Sequence, residues 1–179
     1  MPKAAFLDRD GVINRKAPEG QYVTRWEDFE FLPRVAEAIA LLERAGFSVI
    51  VISNQRGVAK GLLTVAELEL IHQRMLKQLA AADAHLTAIY YCPHDSGPSC
   101  SCRKPAPGML FQAAREYRID LASSWMVGDS DIDMEAGKAA GCRTVRVLTN
   151  GPLPEIAGDL TAHSLFEAAQ QLVRLGATA

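Results

Sequence analysis

Several features that define whole classes of protein are missing from this sequence. No apolar run approaches the ~20 residues that a membrane-spanning helix needs, and no charged-then-apolar leader follows Met1. The net charge of −2 and the aromatic content of 7% provide no basic, aromatic surface for nucleic acid. We therefore expect a cytoplasmic protein that binds neither membrane nor nucleic acid, and we expect it to act as a monomer.

The sequence also has no internal repeat and no low-complexity linker. Its hydrophobic and charged fractions, 49% and 22%, are ordinary for a globular protein. A length of 179 residues is enough for one domain with a substantial core. We predict that residues 1–179 form a single domain.

Hydrophobic patterning predicts strands that alternate with helices. Nearly continuous apolar runs predict strands at residues 4–7, 49–52, 88–91, 126–128 and 144–148. Amphipathic spacing predicts helices at residues 33–45, 64–79, 108–117, 133–140 and 164–175. This alternation predicts an α/β fold, a doubly wound parallel sheet covered on both faces. Residues 14–32 fit neither period and are expected to form a small hairpin or a flap, which leaves no room for a large cap domain.

Polar side chains follow the predicted strands, at the ends where an open α/β sheet binds its ligands. The first strand is followed by Asp8 and Asp10, which point the same way from an extended backbone. The other groups are Ser53, Asn54 and Gln55 after the second strand, Asp129 and Asp133 after the fourth, and Arg103 and Lys104 before a helix. We expect these side chains to face one crevice.

Carboxylates that converge on one crevice repel one another unless a cation lies among them, and a hard divalent ion such as Mg²⁺ meets that need. The nearby serine, asparagine and lysine side chains are complementary to a phosphoryl group. One aspartate can then attack phosphorus while a second moves protons. Each motif also has a plainer interpretation as a turn, a helix cap or a solvated charge. All of them together at successive strand ends favour a phosphoryl-transfer site.

Four stretches, "FLDRDGVIN", "VISNQRG", "RKP" and "MVGDSDID", resemble the four motifs of the haloacid dehalogenase superfamily. The resemblance implies a Rossmann-like fold and a phosphatase that works through an aspartyl-phosphate. It implies that Asp8 is the nucleophile and Asp10 the general acid/base. The implied Mg²⁺ ligands are Asp8, the Asp10 carbonyl and Asp129. Ser53 and Lys104 would contact the phosphoryl group, and Asp133 would be a supporting acid or a further metal-site residue.

Three of the four cysteines lie in one short segment. The stretch "YYCPHDSGPSCSCRKP" supplies Cys92, His94, Cys100 and Cys102, three thiols and one imidazole that complete a tetrahedral set for structural Zn²⁺. Free thiols beside an unrelated histidine, or a disulfide, are the alternatives, and a disulfide is disfavoured in a cytoplasmic chain. We predict a zinc loop at residues 92–102, and we expect Cys142, which stands apart, to be a buried apolar residue.

The zinc loop resembles a narrower branch of the superfamily, which contains heptose bisphosphate phosphatases and histidinol-phosphate phosphatases. The stretches "FEFLPRVAEAIALLERAGFSVIVISNQRGVAKGLLT", "RKPAPGML" and "IDLASSWMVGD" favour the heptose group. This resemblance implies removal of the C7 phosphate of D-glycero-D-manno-heptose 1,7-bisphosphate, in the synthesis of nucleotide-activated heptose for lipopolysaccharide or another surface glycan. The residues implied to contact this small sugar bisphosphate are Arg9, Lys16, Ala17, Pro18, Glu19, Asn54, Gln55, Arg56, Arg103 and Ser130.

Two departures from the heptose pattern keep alternatives open. The spacer at residues 95–99 is short, as in the histidinol-phosphate group, and Ser130 follows Asp129 where a basic residue is common. Arg56 lies where the heptose group often has a small residue and offers a compensating charge. The alternatives are a histidinol-phosphate phosphatase and, from another class, a noncatalytic zinc-stabilised binding module.

Overall fold

The computed structural model describes residues 1–95, 97, 100–148 and 155–177, which form a six-stranded sheet. The strands are β1 (Lys3–Leu7), β2 (Phe47–Asn54), β3 (Ala88–Cys92), β4 (Trp125–Gly128), β5 (Arg143–Val147) and β6 (Leu160–Ala162). Every neighbouring pair is parallel, in the order β3-β2-β1-β4-β5-β6. The predicted parallel sheet is confirmed. The edge strand β6 was not predicted, because its three residues are too few to show a period.

Helices connect the strands on both faces of the sheet. They are α1 (Val35–Arg44), α2 (Arg56–Ala59), α3 (Val65–Ala81), α4 (Gly108–Tyr117), α5 (Asp131–Ala140) and α6 (Leu165–Ala177). At the start of α3 the Glu67 N–H donates to Thr64 Oγ1 over 3.2 Å, and the Glu67 carboxylate accepts the Thr64 N–H over 2.7 Å. This capping box confirms the predicted start of α3. The sequence pattern missed α2, which is only about one turn long.

The sheet divides the buried apolar side chains into two clusters. Along β1, Ala5 and Leu7 belong to one cluster, whereas Ala4 and Phe6 belong to the other. Helices α1, α3 and α6 cover the first cluster, and α4 and α5 cover the second. Because both faces are covered, a polar site has to lie at an end of the sheet.

Residues 14–32 form a flap beside the carboxyl end of β1. An isolated antiparallel bridge joins Asn14 to Phe31, so the two ends of the flap pair as in a small hairpin, although no strand is described within it. Aromatic rings also anchor the flap: Phe29 is buried in the first cluster, and its ring centroid lies 5.0 Å from that of Trp26 and 5.1 Å from that of Phe31. No large cap domain is present in the described parts of the chain.

Three further expectations concern Cys142, membrane-spanning helices and the spacer at residues 95–99. Cys142 is buried, as expected. None of the helices in the described ranges is long and apolar enough to span a bilayer. The short spacer at residues 95–99 lies partly outside the described residues, since positions 96, 98 and 99 are not among them.

Candidate active site

Three neighbouring strands bring the predicted residues together. Asp8 directly follows β1, and its backbone N–H donates to Val127 O of β4 over 2.9 Å. Asp129 directly follows β4, and Ser53 lies near the end of β2. Because these strands are parallel neighbours, their carboxyl ends open on one cavity of about 320 Å³.

Asp8, Asp129 and Asp133 form a carboxylate cluster at this end of the sheet. Each offers one oxygen, the three oxygens lie within 4.8 Å of one another, and all three residues are buried. Burial, followed by the charge of Asp133, raises the pKa of Asp8 to about 7. Burial also raises the pKa of Asp129. Such a cluster is costly unless cations neutralise it.

Lys104 is the buried cation of the site. Its Nζ atom lies 2.8 Å from Asp8 Oδ1, 2.7 Å from Asp133 Oδ1 and 2.8 Å from Ile52 O. The two carboxylate contacts are ion pairs, and the third is a hydrogen bond that the ammonium donates to a backbone carbonyl. Burial opposes the charged form, but Asp133 and Asp8 outweigh it and raise the pKa of Lys104. The site therefore holds a permanent positive charge beside Asp8.

Two side chains hold Lys104 in place. The Asn54 side chain accepts the Lys104 N–H over 3.0 Å and donates to Lys104 O over 3.0 Å. Asp133 caps α5 with its Oδ2 atom, which accepts the Ser130 N–H over 3.1 Å, while its Oδ1 atom faces Lys104. Asp133 thus supports both Lys104 and α5, and because its Oδ1 atom also belongs to the carboxylate cluster, its place as a metal-site residue stays a prediction.

The Asp10 carboxylate is held by three side chains. Arg9 Nη2 donates to both of its oxygens, over 3.0 and 3.1 Å, and Asn14 and Gln55 each donate over 2.9 Å. Burial raises the pKa of Asp10, but the Arg9 charge and these hydrogen bonds outweigh it and hold the pKa below its usual value. Gln55 also donates to Ser53 Oγ over 2.8 Å, which links Asp10 to Ser53.

Asp129 has one oxygen that suits a metal ion. Its Oδ1 atom is buried and has no hydrogen-bond partner in the described structure. Its Oδ2 atom accepts from Lys16 Nζ of the flap over 2.9 Å. A buried, unpartnered carboxylate oxygen in an oxygen-only cluster fits a hard divalent cation, with Mg²⁺ as the first choice.

The predicted zinc ligands also lie together. Distances among Cys92 Sγ, Cys100 Sγ, Cys102 Sγ and His94 Nδ1 range from 3.1 to 3.5 Å across five of the atom pairs. Tetrahedral Zn²⁺ with bonds of about 2.3 Å to sulfur and about 2.0 Å to nitrogen requires ligand separations of roughly 3.5–3.8 Å. None of these cysteines forms a disulfide, so the disulfide alternative is wrong. The cluster is therefore compatible with zinc after a small expansion.

Two predicted substrate contacts lie against this cysteine loop. Arg103 Nη1 donates to His94 O over 3.1 Å, and Arg56 is paired with Asp95. Neither arginine is among the residues that line the cavity. In this structure, both guanidinium groups connect the loop to the rim of the site.

Comparison of this sequence with known proteins identifies the family to which it belongs. The HAD-hydrolase-like family model matches residues 101–169. A D-glycero-beta-D-manno-heptose-1,7-bisphosphate 7-phosphatase from Pseudomonas aeruginosa is 40% identical over 176 residues, which cover 94% of this chain and 97% of the relative. The chain belongs to this phosphatase family. The Escherichia coli K12 member is also 40% identical, over 180 residues that cover 94% of this chain and 93% of the relative.

Solved structures of the family have the same fold. The D,D-heptose 1,7-bisphosphate phosphatase from Bordetella bronchiseptica, complexed with magnesium and phosphate, has a TM-score of 0.87 and 38% identity, and the match covers 97% of this chain and 99% of that one. The Burkholderia thailandensis enzyme has a TM-score of 0.70 and 32% identity, with coverage of 96% and 98%. The predicted superfamily, the haloacid dehalogenase fold and the phosphatase class are thereby confirmed.

Most residues expected to contact the substrate line the cavity of this family member. They are Lys16, Ala17, Pro18, Glu19, Asn54, Gln55 and Ser130. Like Arg56 and Arg103, Arg9 does not line the cavity, because its side chain is completely buried and turned towards Asp10. The structure therefore gives no support to a contact between the Arg9 side chain and substrate, and the expected contact stays a prediction. The backbone turns at this point, with the Ile13 N–H donating to Arg9 O over 2.8 Å, and the Arg9 guanidinium reaches the carboxylate of its chain neighbour Asp10.

Three residues near the site escaped the sequence analysis. Asn14 donates to Asp10, Tyr22 lines the cavity, and His72 lies 3.2 Å from the Arg9 guanidinium. Asn14 belongs to the "DRDGVIN" stretch, and its spacing of four residues from Asp10 was an available signal. His72 has the spacing of an ordinary core position of α3, and nothing local to it indicates a polar partner.

Gly11 allows Asp129 to approach the first loop. Its φ is +96°, and a Cβ atom there would lie 2.4 Å from Asp129 Oδ2. Gly11→Ala should therefore displace the Asp129 carboxylate and lower the affinity for Mg²⁺ about 10- to 100-fold, measured by isothermal titration calorimetry. Gly46→Ala is the matched control, because Gly46 has a φ of +80° and free space around its Cβ position. Equal Mg²⁺ affinities in the two variants would contradict the expected clash.

Proposed function

We propose that this chain removes the C7 phosphate of D-glycero-D-manno-heptose 1,7-bisphosphate in a Mg²⁺-dependent reaction. The observation that carries the proposal is 40% identity to enzymes of that name over 94% of the chain and 97% of the relative. The relatives are named for the beta anomer, which favours the beta substrate here. In this proposal, residues 1–179 form one catalytic domain that acts as a monomer in the cytoplasm.

The first step of the proposed reaction uses Asp8 as nucleophile. Asp8 Oδ1 accepts the Arg9 N–H over 2.8 Å and pairs with Lys104, which leaves Oδ2 for the reaction. An Asp8 oxygen forms a bond to phosphorus as the bond from phosphorus to the C7 oxygen breaks. The product of this step is an aspartyl-phosphate, which is general chemistry of carboxylate nucleophiles.

Asp10 moves the protons of both steps. It gives a proton to the departing C7 oxygen, and then it takes one from the water that attacks the aspartyl-phosphate. Phosphate leaves and the Asp8 carboxylate returns. Asp10 is ionised in the free protein because its pKa is lowered, and the approach of a phosphate dianion favours the protonated form that the first step needs.

The transferred phosphoryl group needs positive charge and hydrogen-bond donors. Ser53 Oγ accepts from Gln55, so its own O–H is left to donate, and Lys104 contributes its fixed charge. Asp8, the Asp10 carbonyl and Asp129 would hold Mg²⁺. When bound, this ion neutralises charge on the phosphoryl group.

The remaining assignments concern the zinc loop and the sugar. Cys92, His94, Cys100 and Cys102 would hold a structural Zn²⁺, because four protein ligands leave no position open for chemistry. The ion would stiffen the loop that leads to Lys104, two residues beyond Cys102.

The sugar would lie between the flap and Ser130, where the cavity lining supports contact with Lys16, Ala17, Pro18 and Glu19.

A parallel assay of two substrates tests the proposed function. We expect kcat/KM for beta-heptose 1,7-bisphosphate to exceed that for histidinol phosphate by at least about a hundredfold, since a site that pairs with specific polar groups rejects a substrate lacking them. Phosphorus NMR should show heptose 1-phosphate as the product. Equal or faster turnover of histidinol phosphate would favour the other group of the branch, and no phosphate release from either would favour a noncatalytic binding module.

A further inference from the structure

Arg9 and His72 form a buried polar pair beside the active site. Arg9 is completely buried, and His72 of α3 is 5% exposed. Arg9 Nη1 lies 3.2 Å from His72 Nε2, and Arg9 Nη2 donates to both oxygens of Asp10. The guanidinium therefore connects a core position of α3 to the general acid/base of the proposed reaction.

The direction of the hydrogen bond between Arg9 and His72 follows from their chemistry. A guanidinium has donors and no acceptor, so His72 Nε2 must accept, and the neutral imidazole carries its proton on Nδ1. Burial and the Arg9 charge lower the pKa of His72 to about 3, which keeps the ring neutral. The ring also packs against Tyr91 of β3, with centroids 5.5 Å apart.

Few contacts determine where the guanidinium points. Arg9 Nε has no hydrogen-bond partner among the described residues. The Phe29 ring centroid is 5.9 Å from the guanidinium carbon, which allows packing without fixing direction. Loss of the His72 acceptor would leave a buried N–H unsatisfied, which is costly. The guanidinium would then be free to turn about its remaining contact with Asp10.

We propose that His72 is a positioning residue that directs the Arg9 guanidinium to Asp10 and thereby keeps the Asp10 carboxyl group aimed at the leaving oxygen. This inference rests on the proposed function, because Asp10 delivers a proton only in that reaction. As the bond from phosphorus to the C7 oxygen breaks, its electron pair stays on oxygen, and the Asp10 proton bonds there. A misdirected Asp10 slows this step most for leaving groups that need the proton.

The test compares His72→Met with His72→Gln in the Mg²⁺-loaded protein. Met provides only a weak acceptor, whereas the Gln side-chain oxygen can take the place of Nε2. We would measure kcat/KM for heptose 1,7-bisphosphate and for 4-nitrophenyl phosphate, whose aryloxide leaves without a proton. His72→Met should lower kcat/KM about tenfold for the sugar phosphate and less than about twofold for the aryl phosphate. His72→Gln should recover most of the loss.

Controls separate positioning from stability. The ratio of the two kcat/KM values from one preparation does not depend on the fraction of protein that is folded. His85→Met makes the same change at an exposed histidine, and Leu79→Ala removes buried volume from α3, so both should keep the wild-type ratio. An equal loss on both substrates in His72→Met, or a Gln variant no better than the Met variant, would overturn the inference.

A crystal structure of His72→Met provides a readout that needs no substrate. We expect the Arg9 guanidinium to have turned away from Asp10, and an unchanged pair of Arg9 and Asp10 would overturn the inference. Absence of heptose bisphosphate turnover by the wild-type protein would instead contradict the proposed function. The crystallographic comparison would still decide the place of His72.

Discussion

Asp8→Asn should reduce phosphate release by at least about four orders of magnitude while the protein stays folded. The amide has the shape of the carboxylate but lacks a charged oxygen that can attack phosphorus. Its oxygen can still accept the Arg9 N–H, and Lys104 keeps its ion pair with Asp133 and its hydrogen bond to Ile52 O. Phosphate release under saturating Mg²⁺ and thermal unfolding measure the two parts of this expectation.

The fold of Asp8→Asn should hold because burial and Asp133 already disfavour the Asp8 charge. A neutral side chain removes this repulsion, so the melting temperature without Mg²⁺ should not fall below that of the wild type. Asp83→Asn is a control at an exposed position with a φ of 54°, which asparagine tolerates. Retention of more than about one hundredth of the activity by Asp8→Asn would remove Asp8 as the nucleophile.

Cys100→Ser should release zinc, destabilise the protein and lower its activity indirectly. Cys100 Sγ lies 3.1–3.5 Å from the other three ligand atoms, so its loss opens a set that has no spare ligand among the described residues. We expect zinc content to fall well below one ion per chain and the free energy of unfolding to drop by about 2 kcal/mol or more. Elemental analysis and denaturant unfolding provide these values.

Activity should fall about tenfold in Cys100→Ser, because Lys104 follows the loop and must be placed to within a fraction of an ångström. Cys142→Ser is the matched control, since Cys142 is buried outside the cluster and its replacement should cost stability without losing zinc. Freshly purified, reduced wild-type protein that contains no zinc would refute the structural site.

The local pattern of apolar residues in the sequence was sufficient to predict the strands and helices that are long or strongly periodic. The buried strands were visible as apolar runs because both faces of the sheet are covered. The helix predicted from residue 64 agrees with α3, whose N-cap is Thr64. The elements that were missed, α2 and β6, have four and three residues, which is less than either period needs.

Side-chain direction was harder to predict than position along the chain. Alternation in an extended strand places neighbours on opposite faces, yet Arg9 and Asp10 are bonded to each other because the chain turns after β1. Asn54 was expected at the substrate, and its amide also holds the backbone of Lys104, 50 residues away. Contacts of this kind depend on two segments meeting.

The sequence by itself determined the parallel α/β fold, the acids at the strand ends and the set of possible zinc ligands, because each depends on residue type and short spacing. Only the tertiary structure decided that Lys104 lies between Asp8 and Asp133, that Lys16 reaches Asp129, and that Arg9 is buried. The physical reason is that charge pairing and burial are properties of distance in space, and distant parts of the chain become neighbours only when the sheet assembles.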